Sequence, residues 1–423
     1  MAELSKRSFI RTYFYSLSVF MLLIIVYLWF TSGHTIPEAY KGTAADPATF
    51  LSPQQWEQSV VYSALRNGLF FLSYPWEWGL YLILLTTGWA RKWQDRLSQS
   101  VPIAFLRLPV FVLLLQGAVF LWFLPLRITS FSLARYYGIS TQSIPSWVKD
   151  KLISFGVNYV LMVLVAAVAF WIIGKGGRWW LRLWLLSVPF SLFMMYIQPV
   201  IIDPLYNPFS RLSDPVLEQK ILSLAAKAEI PADQVYEVMM SEKTNAMNAY
   251  VNGIGGSLRI VLWDTTLKRM EEPEILLIMA HEMGHYVMHH LEWSAFGAIA
   301  STFVVLWAGS IILRYAIARW GRGWGVGRPN EPAALPLILL LMSLLAFVAS
   351  PVSNAVSRNA EQAADQYAFE LIGSTDGAVS MYQKLASSSL SEVNPPFLVK
   401  LFTSSHPSIM ERIIHAQSFK HDS

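Results

Sequence analysis

Long apolar runs alternate with shorter polar segments along this 423-residue chain. Seven of the runs are long enough to cross about 30 Å of hydrocarbon as α-helices. They occupy residues 12–30, 67–89, 102–126, 152–173, 179–202, 295–313 and 333–350. The first follows basic residues as a signal peptide would, but it is too long and no small-residue cleavage pattern follows it, so we interpret it as an anchor. The pattern predicts a mostly α-helical, polytopic membrane protein with about seven transmembrane helices.

Two parts of the chain, residues 203–291 and the tail after residue 350, are polar enough to lie in water. The elements expected in the first part are a helix at 214–228, strands at 234–240 and 258–263, and a helix at 273–291. Turn residues at 252–256 separate the two strands. Near the N-terminus, Ser52 before Pro53 and Gln55 has the pattern of a helix start.

These patterns divide the chain into four parts. We expect a membrane region with five spans at 1–202, the first part of a soluble domain with a small β-sheet at 203–292, two further spans at 293–350, and the second part of the domain at 351–423.

Thirteen Lys and Arg residues fall on the N-terminal side of the spans and six in the opposite loops. Because cytoplasmic loops carry the positive excess, both soluble parts are predicted to face outward.

Composition agrees with a membrane protein and narrows its chemistry. Charged residues are 14% of the chain, against about 25% in soluble domains. The net charge of +4 comes without any Lys- or Arg-rich run, so nucleic-acid binding is not expected. The chain has no cysteine, which excludes disulfides and leaves His, Asp and Glu as the ligands for any zinc ion.

A His-Glu-Met-Gly-His run begins at His281, inside the last helix expected in the first soluble part. Positions i and i+4 share a helix face, so His281 and His285 can turn ring nitrogens toward one metal ion. Glu282 can reach a water held by that ion and act as general base. His285 and His289 have the same spacing, but only His281 precedes a glutamate. We therefore choose the first pair and expect His289 and His290 at a helix end.

A hydrolytic zinc site needs three protein ligands and one open position, so two histidines do not complete it. The best candidate for the third ligand is Glu361, just past the seventh span. Asp365 lies four residues later on the same helix face, where it can accept a hydrogen bond from the second nitrogen of a ligand histidine. The alternative is a helix with two solvated carboxylates.

Several separated motifs occur in an order that resembles one family. They are Asp203-Pro204-Leu205-Tyr206-Asn207, Asn248-Ala249-Tyr250, the run from Arg259 to Thr265, the His281 motif, the Glu361 and Asp365 pair, and His406-Pro407-Ser408 with Glu411-Arg412. They resemble the integral-membrane zinc metalloproteases of the type-I CAAX prenyl protease kind and their bacterial relatives. The resemblance implies a zincin-like (gluzincin) protease domain, and spans that enclose a chamber faced by the active site. It also implies one Zn²⁺ per chain bound by His281, His285 and Glu361, with Glu282 as catalytic base.

Other residues of these motifs leave alternatives open. His406 is our candidate donor to the developing oxyanion, or it simply begins a helix. Asn248, Ala249 and Tyr250 form either an edge strand that pairs with an extended substrate or an ordinary strand. Arg412 either steers a substrate carboxylate or pairs with a nearby acid.

The function that these predictions favour is a membrane-embedded zinc metalloendopeptidase that acts on peptide or protein substrates. The alternative is a CAAX-type prenyl protease that removes C-terminal residues from lipidated proteins at the cytosolic face. The predicted outward orientation favours membrane or exported polypeptides instead, and a bacterial inner membrane as the location.

Two further classes are less favoured by the same residues. An intramembrane-cleaving protease would need the motif helix inside the bilayer, but that helix has soluble flanks. A transporter or scaffold with a dead site is disfavoured because the motif is intact. Glu77, in the second apolar run, either faces a cavity or marks the end of the span.

Overall fold

The computed structural model of the protein describes residues 2–252 and 258–419. This part of the chain contains fifteen α-helices, which confirms the prediction of a mostly α-helical protein. The first eight are α1 (Ala2–Thr31), α2 (Pro53–Thr86), α3 (Trp89–Ser100), α4 (Ala104–Tyr136), α5 (Ile144–Gly174), α6 (Trp179–Ile197), α7 (Asp203–Tyr206) and α8 (Pro215–Lys227). The other seven are α9 (Asp264–Arg269), α10 (Glu272–Val287), α11 (His290–Trp324), α12 (Leu335–Ile372), α13 (Ala378–Ser389), α14 (Phe397–Thr403) and α15 (Ile409–Ser418).

A four-stranded sheet lies in the first soluble part. Its strands are β1 (Phe209–Arg211), β2 (Val235–Val238), β3 (Ala249–Asn252) and β4 (Arg259–Trp263). The order is β1-β2-β4-β3, with β2 and β4 parallel and the outer strands antiparallel to their neighbours. The predicted strands at 234–240 and 258–263 correspond to β2 and β4. Strand β1 was not predicted, because three residues are too short to show alternation, and predicted turn residues 253–256 lie outside the described part.

Seven of the described helices are long and apolar enough to cross a membrane, and they carry the seven predicted runs. They are α1, α2, α4, α5, α6 with its continuation to Tyr206, α11 and α12. Six of them form a closed succession of packed neighbours: α2 packs on α4, α4 on α5, α5 on α6, α6 on α11, α11 on α12, and α12 on α2. Helix α1 packs against α2. The membrane region is therefore a ring of six helices, and the seventh, α1, packs against one member of the ring.

Polar side chains join neighbouring helices of the ring. Glu77 on α2 accepts hydrogen bonds from Tyr81 Oη at 2.9 Å and from Ser343 Oγ on α12 at 2.7 Å. Helix α2 continues past Glu77 to Thr86, so the helix itself does not end there. The carboxylate therefore has two hydrogen-bond partners where the two helices meet, as expected of a polar group at membrane depth.

The predicted helix starts have their caps. Ser52 Oγ accepts from the backbone N–H of Gln55 at 3.2 Å, and the Gln55 side chain accepts from the backbone N–H of Ser52 at 3.0 Å. Asp214 caps α8 in the same role, accepting from the N–H groups of Val216 and Leu217. These local bonds satisfy amide groups that have no partner inside the helix.

Two helices differ from their predicted bounds. The motif helix α10 ends at Val287 instead of residue 291, because His289 adopts a left-handed conformation (φ 56°) and α11 begins directly after it. In contrast, α12 runs without interruption from the seventh span through Glu361 and ends before Gly373 (φ 77°). The seventh span and the helix that carries the third candidate ligand are therefore one rigid element.

The core of the soluble part surrounds α10. Leu277, Met279 and Met283 are almost fully buried against Ile260 of β4 and other apolar residues of the same cluster. Helix α10 packs on β3 along one side and on α12 along the other. This packing holds the His-Glu-Met-Gly-His run in a fixed position between the sheet and the long helix.

Candidate active site

Two histidines of α10 and one glutamate of α12 converge on a common point. The Nε2 atoms of His281 and His285 are 3.2 Å apart. Glu361 places Oε2 3.3 Å from Nε2 of His281 and Oε1 3.4 Å from Nε2 of His285. One ligand atom from each of the three lies within 4.8 Å of the others. The structure therefore brings together the three residues predicted to bind metal, although 76 to 80 positions separate the glutamate from the histidines.

Gly284, inside the motif, allows the two helices to approach this closely. A Cβ atom added to Gly284 would lie 3.0 Å from Cδ1 of Tyr367 and 3.3 Å from Cα of Ala364, both on α12. Contacts this short would force the helices apart. The glycine therefore serves close packing of α10 on α12, which brings Glu361 within reach of the imidazoles.

The donor set fits a divalent cation. Oε2 of Glu361 is buried and makes no well-directed hydrogen bond among the described residues, its polar neighbour being Nε2 of His281 at 3.3 Å. A buried carboxylate oxygen of this kind is costly unless a cation or a donor satisfies it. Two imidazoles and one carboxylate, with a further position open, are the ligands of a hydrolytic zinc site. A metal ion at the common point would satisfy this oxygen and both Nε2 lone pairs.

A buried ion pair fixes the orientation of His281. Asp365 Oδ1 lies 2.8 Å from Nδ1 of His281. Arg412, on α15, donates two hydrogen bonds to the same carboxylate, at 2.6 and 2.8 Å, and its guanidinium lies 4.6 Å from the ring centroid of Tyr382. Of the two interpretations of Arg412, the structure shows pairing with an acid. A substrate carboxylate would have to displace Asp365 from this buried partner.

Burial and charge set the protonation of the motif. Burial disfavours the charged form of His281, but Asp365 and Glu361 favour it more strongly and raise its pKa to about 9. A cation that binds Nε2 must displace this proton, so metal binding releases protons. Burial raises the pKa of Glu282, and the two neighbouring imidazoles oppose that shift. Oε1 of Glu282 lies 4.0 Å from Nε2 of His281, beside the common point.

His406 also reaches this cluster. Its Nε2 lies 3.3 Å from Oε1 of Glu361, while Nδ1 lies 2.9 Å from Oγ of Ser405. The residue precedes Pro407 and Ser408, and Ser408 is the N-cap of α15. His406 therefore lies beside a helix start and also close to the cluster. Its side chain is 58% exposed, which leaves a ring N–H able to turn toward a bound substrate.

The predicted substrate-binding segment lies along β3. Asn248 directly precedes the strand, and its carbonyl oxygen accepts from Trp263 N and Thr266 Oγ1. Ala249 is buried and Tyr250 partly buried. Because β3 is the last strand in the sheet order and packs on α10, it is an edge strand beside the motif helix.

His290 was expected only as a residue at the end of the motif helix, but it is the first residue of α11. Its Nδ1 lies 2.9 Å from Nδ1 of His285, so it contacts the ring nitrogen that points away from the common point. The break at His289 turns the chain back and makes this contact. His289 itself is exposed and lies 3.4 Å from Glu292, away from the cluster. Only the presence of consecutive histidines just past the motif could have indicated such a partner.

Comparisons with known proteins agree with this geometry. The sequence profile of peptidase family M48 matches residues 211–420, and the profile described as "CAAX prenyl protease N-terminal, five membrane helices" matches residues 27–208. The uncharacterized metalloprotease YhfN of Bacillus subtilis (strain 168) is 48% identical over 401 residues, which cover 93% of each chain. CAAX prenyl protease 1 homolog of Arabidopsis thaliana is 30% identical over 289 residues, 67% of each chain.

A solved structure has the same fold. The crystal structure of S. mikatae Ste24p superimposes with a TM-score of 0.81 over 97% of this chain and 98% of that one, at 22% identity. The seven long helices, the small sheet and the order of the soluble parts are thus those of a known architecture. Together with the two profile matches and the relatives, this shows that the chain is a membrane metalloprotease and belongs to peptidase family M48.

Proposed function

We propose that the protein is a zinc metalloendopeptidase that holds one Zn²⁺ between His281, His285 and Glu361 and uses Glu282 as general base. The observation that carries this proposal is the convergence of three ligand atoms within 4.8 Å, one of which belongs to a carboxylate whose Oε2 is buried and makes no well-directed hydrogen bond among the described residues. When bound, zinc polarises the scissile carbonyl and lowers the pKa of the attacking water.

The neighbouring side chains each have a separate task in this proposal. Asp365 accepts a hydrogen bond from Nδ1 of His281, which leaves the Nε2 lone pair directed at the common point. Glu282 takes the proton of the attacking water and delivers it to the leaving amine. His406 donates a hydrogen bond from Nε2 to the oxyanion that develops on the substrate carbonyl.

The substrate is proposed to bind in an extended conformation beside β3. An edge strand can pair its backbone with a peptide, and pairing of this kind selects extended or unfolded chains over folded ones. Asn248, Ala249 and Tyr250 would present that edge, and α10 lies directly against it. A peptide held there runs past the motif helix.

We propose membrane or exported polypeptides as substrates and the bacterial inner membrane as the location. The charge distribution of the loops supports an outward orientation of the soluble parts at 203–292 and 351–423, which are proposed to form one protease domain around the spans at 1–202 and 293–350. Cleavage of lipidated C-termini is the alternative, since several relatives are named CAAX prenyl proteases.

Removal and return of the metal tests the proposed function. We expect the purified protein to contain about one zinc ion per chain, to lose hydrolysis of a quenched peptide when a chelator removes the zinc, and to recover it when Zn²⁺ is added. The peptide carries blocks at both ends, so only internal cleavage is scored, and elemental analysis follows the metal. Full activity after the zinc has been removed would contradict the proposal, and recovery with another divalent ion alone would replace zinc by that ion.

Reporter fusions test the orientation. A reporter enzyme that folds only after export, fused after Phe419, is expected to be active, because seven spans place the C-terminal part on the side opposite the N-terminus. The same reporter fused after Ser100, in the basic region that follows the second span, is the control and is expected to be inactive. The reverse pattern would place the protease domain in the cytoplasm and favour the alternative substrates.

A further inference from the structure

A polar cavity lies within the membrane region, away from the metal cluster. It has a volume of about 230 Å³ and lies between α4 and α5. Its lining includes two cations, Arg127 and Lys151, and two amides, Gln116 and Asn158. Cationic side chains within membrane helices are uncommon and usually indicate a binding partner.

The two cations have no acidic partner among the described residues. The guanidinium of Arg127 lies 4.9 Å from the ring centroid of Phe120, and Nζ of Lys151 lies 5.7 Å from that of Trp147. The adjacent carboxylate, Asp150, already accepts from Nζ of Lys243 at 2.8 and 3.1 Å and from Gln142 at 2.7 Å. Two positive charges therefore line a polar cavity, and neither forms an ion pair with a carboxylate of the described residues.

The positions of the two cations along their helices match the headgroup boundary of a bilayer. Helix α4 has 33 residues and α5 has 31, which correspond to about 50 and 46 Å of helix. Because the hydrocarbon is about 30 Å thick, each helix extends about 8 to 10 Å beyond it at either end. Arg127 lies nine residues before the end of α4 and Lys151 seven residues after the start of α5, about 13 and 10 Å from those ends.

We propose that this cavity binds the headgroup of an anionic phospholipid. Long cationic side chains rooted just inside the hydrocarbon extend toward the phosphate layer, which places their charges at the level of lipid phosphates. Basic pockets between transmembrane helices recognise such headgroups. The amides of Gln116 and Asn158 make no side-chain hydrogen bond among the described residues, and they line the deeper part of the cavity, nearer the middle of the two helices than the cations are.

The cavity is linked to the soluble part of the protein through Tyr206, the last residue of the fifth membrane helix. Ser154, in the cavity lining, is 3.0 Å from the hydroxyl of Tyr206, and Lys243 donates to the carbonyl oxygen of Tyr206. A lipid held here would stabilise the packing of the α4 and α5 hairpin against the segment that leads into the sheet. The bound lipid is thus a structural ligand at the junction of the membrane region and the protease domain.

Lipid titration of the purified full-length protein tests the proposal. We expect native mass spectrometry in detergent to show tighter binding of phosphatidylglycerol than of phosphatidylcholine. Replacing both cations, Arg127→Gln with Lys151→Gln, should weaken phosphatidylglycerol binding by about 25-fold, since each cation near an anionic headgroup contributes about fivefold. The matched control is Arg135→Gln with Lys149→Gln, which removes two exposed cations from the same helices and should change binding less than about twofold.

Three outcomes would overturn the proposal, and a folding control accompanies them. Equal losses in both double variants would assign the effect to surface charge. Tight binding of inorganic phosphate, with no preference for the anionic lipid, would identify a site for soluble anions. A raised KM of the cavity variant for peptides with a free C-terminal carboxylate, and not for amidated ones, would identify a substrate subsite. An unchanged unfolding temperature of the cavity variant in detergent shows that it is folded.

Discussion

Replacing Glu282 with glutamine is expected to abolish peptide hydrolysis and to leave the bound metal in place. The amide has the size of the carboxylate, so packing around the motif is kept, but it cannot accept the proton of the attacking water. General base catalysis contributes about 10²- to 10⁴-fold to rate, and we expect kcat to fall by that range. Steady-state kinetics on a quenched peptide, together with elemental analysis of the same sample, measures both parts of the prediction.

A matched control separates this loss from a general effect of removing charge. Glu272 lies on the same helix, is 48% exposed, and pairs with Lys220 away from the cluster. Glu272→Gln should retain kcat within about twofold, because surface ion pairs contribute little. Unchanged turnover by the Glu282 variant would assign proton transfer to another group, and loss of its metal would show that Glu282 supports the ion instead.

The membrane helices were predictable because their signal is local. Seven apolar runs of sufficient length each fell on a long helix, and the Ser52 cap was visible in four consecutive residues. Apart from the start of α2 at Ser52, the polar ends of these helices were not predicted. Hydrophobicity marks only the lipid-embedded section, whereas the helix continues as far as its backbone bonds and caps allow.

The histidine motif and the distant glutamate, Glu361, were also predictable, although from different kinds of information. His281 and His285 follow from helix periodicity within five residues. Glu361 depended on a second i, i+4 pair near the seventh span, and only the fold shows that α12 carries it to the imidazoles. What sequence did not reveal is why the helices meet. Gly284 permits that approach through contacts with Tyr367 and Ala364, which are remote in the chain.

Two contacts around the cluster depend on tertiary structure alone. The Arg412 and Asp365 ion pair joins α15 to α12, and nothing local in either segment distinguishes it from a substrate-steering arginine. His290 reaches His285 only because the helix breaks at His289, a residue whose left-handed conformation is unusual for a side chain with a Cβ. A prediction from helical periodicity continues the helix and turns His290 away.

Replacing Glu361 with glutamine is expected to remove most of the metal under conditions where the parent retains it. Total binding free energies of about 10–16 kcal/mol for four-ligand zinc sites imply about 3 kcal/mol per ligand, so affinity should fall by more than about a hundredfold. The amide keeps the volume of the side chain in its buried position but removes the negative charge facing two imidazoles. Competition with a fluorescent zinc chelator gives the dissociation constants of both proteins.

The same helix offers the control for this variant. Glu370 is exposed, accepts a hydrogen bond from Gln366 at 2.6 Å, and faces away from the cluster. Glu370→Gln should bind zinc as the parent does, because it removes one carboxylate of α12 without touching the imidazoles. If Glu361→Gln keeps stoichiometric zinc at the parent's affinity, then the third ligand is another group, and His406 is the nearest imidazole to that carboxylate outside the motif. A loss confined to the Glu361 variant assigns the ligand to the carboxylate that α12 carries from the seventh span to the two histidines.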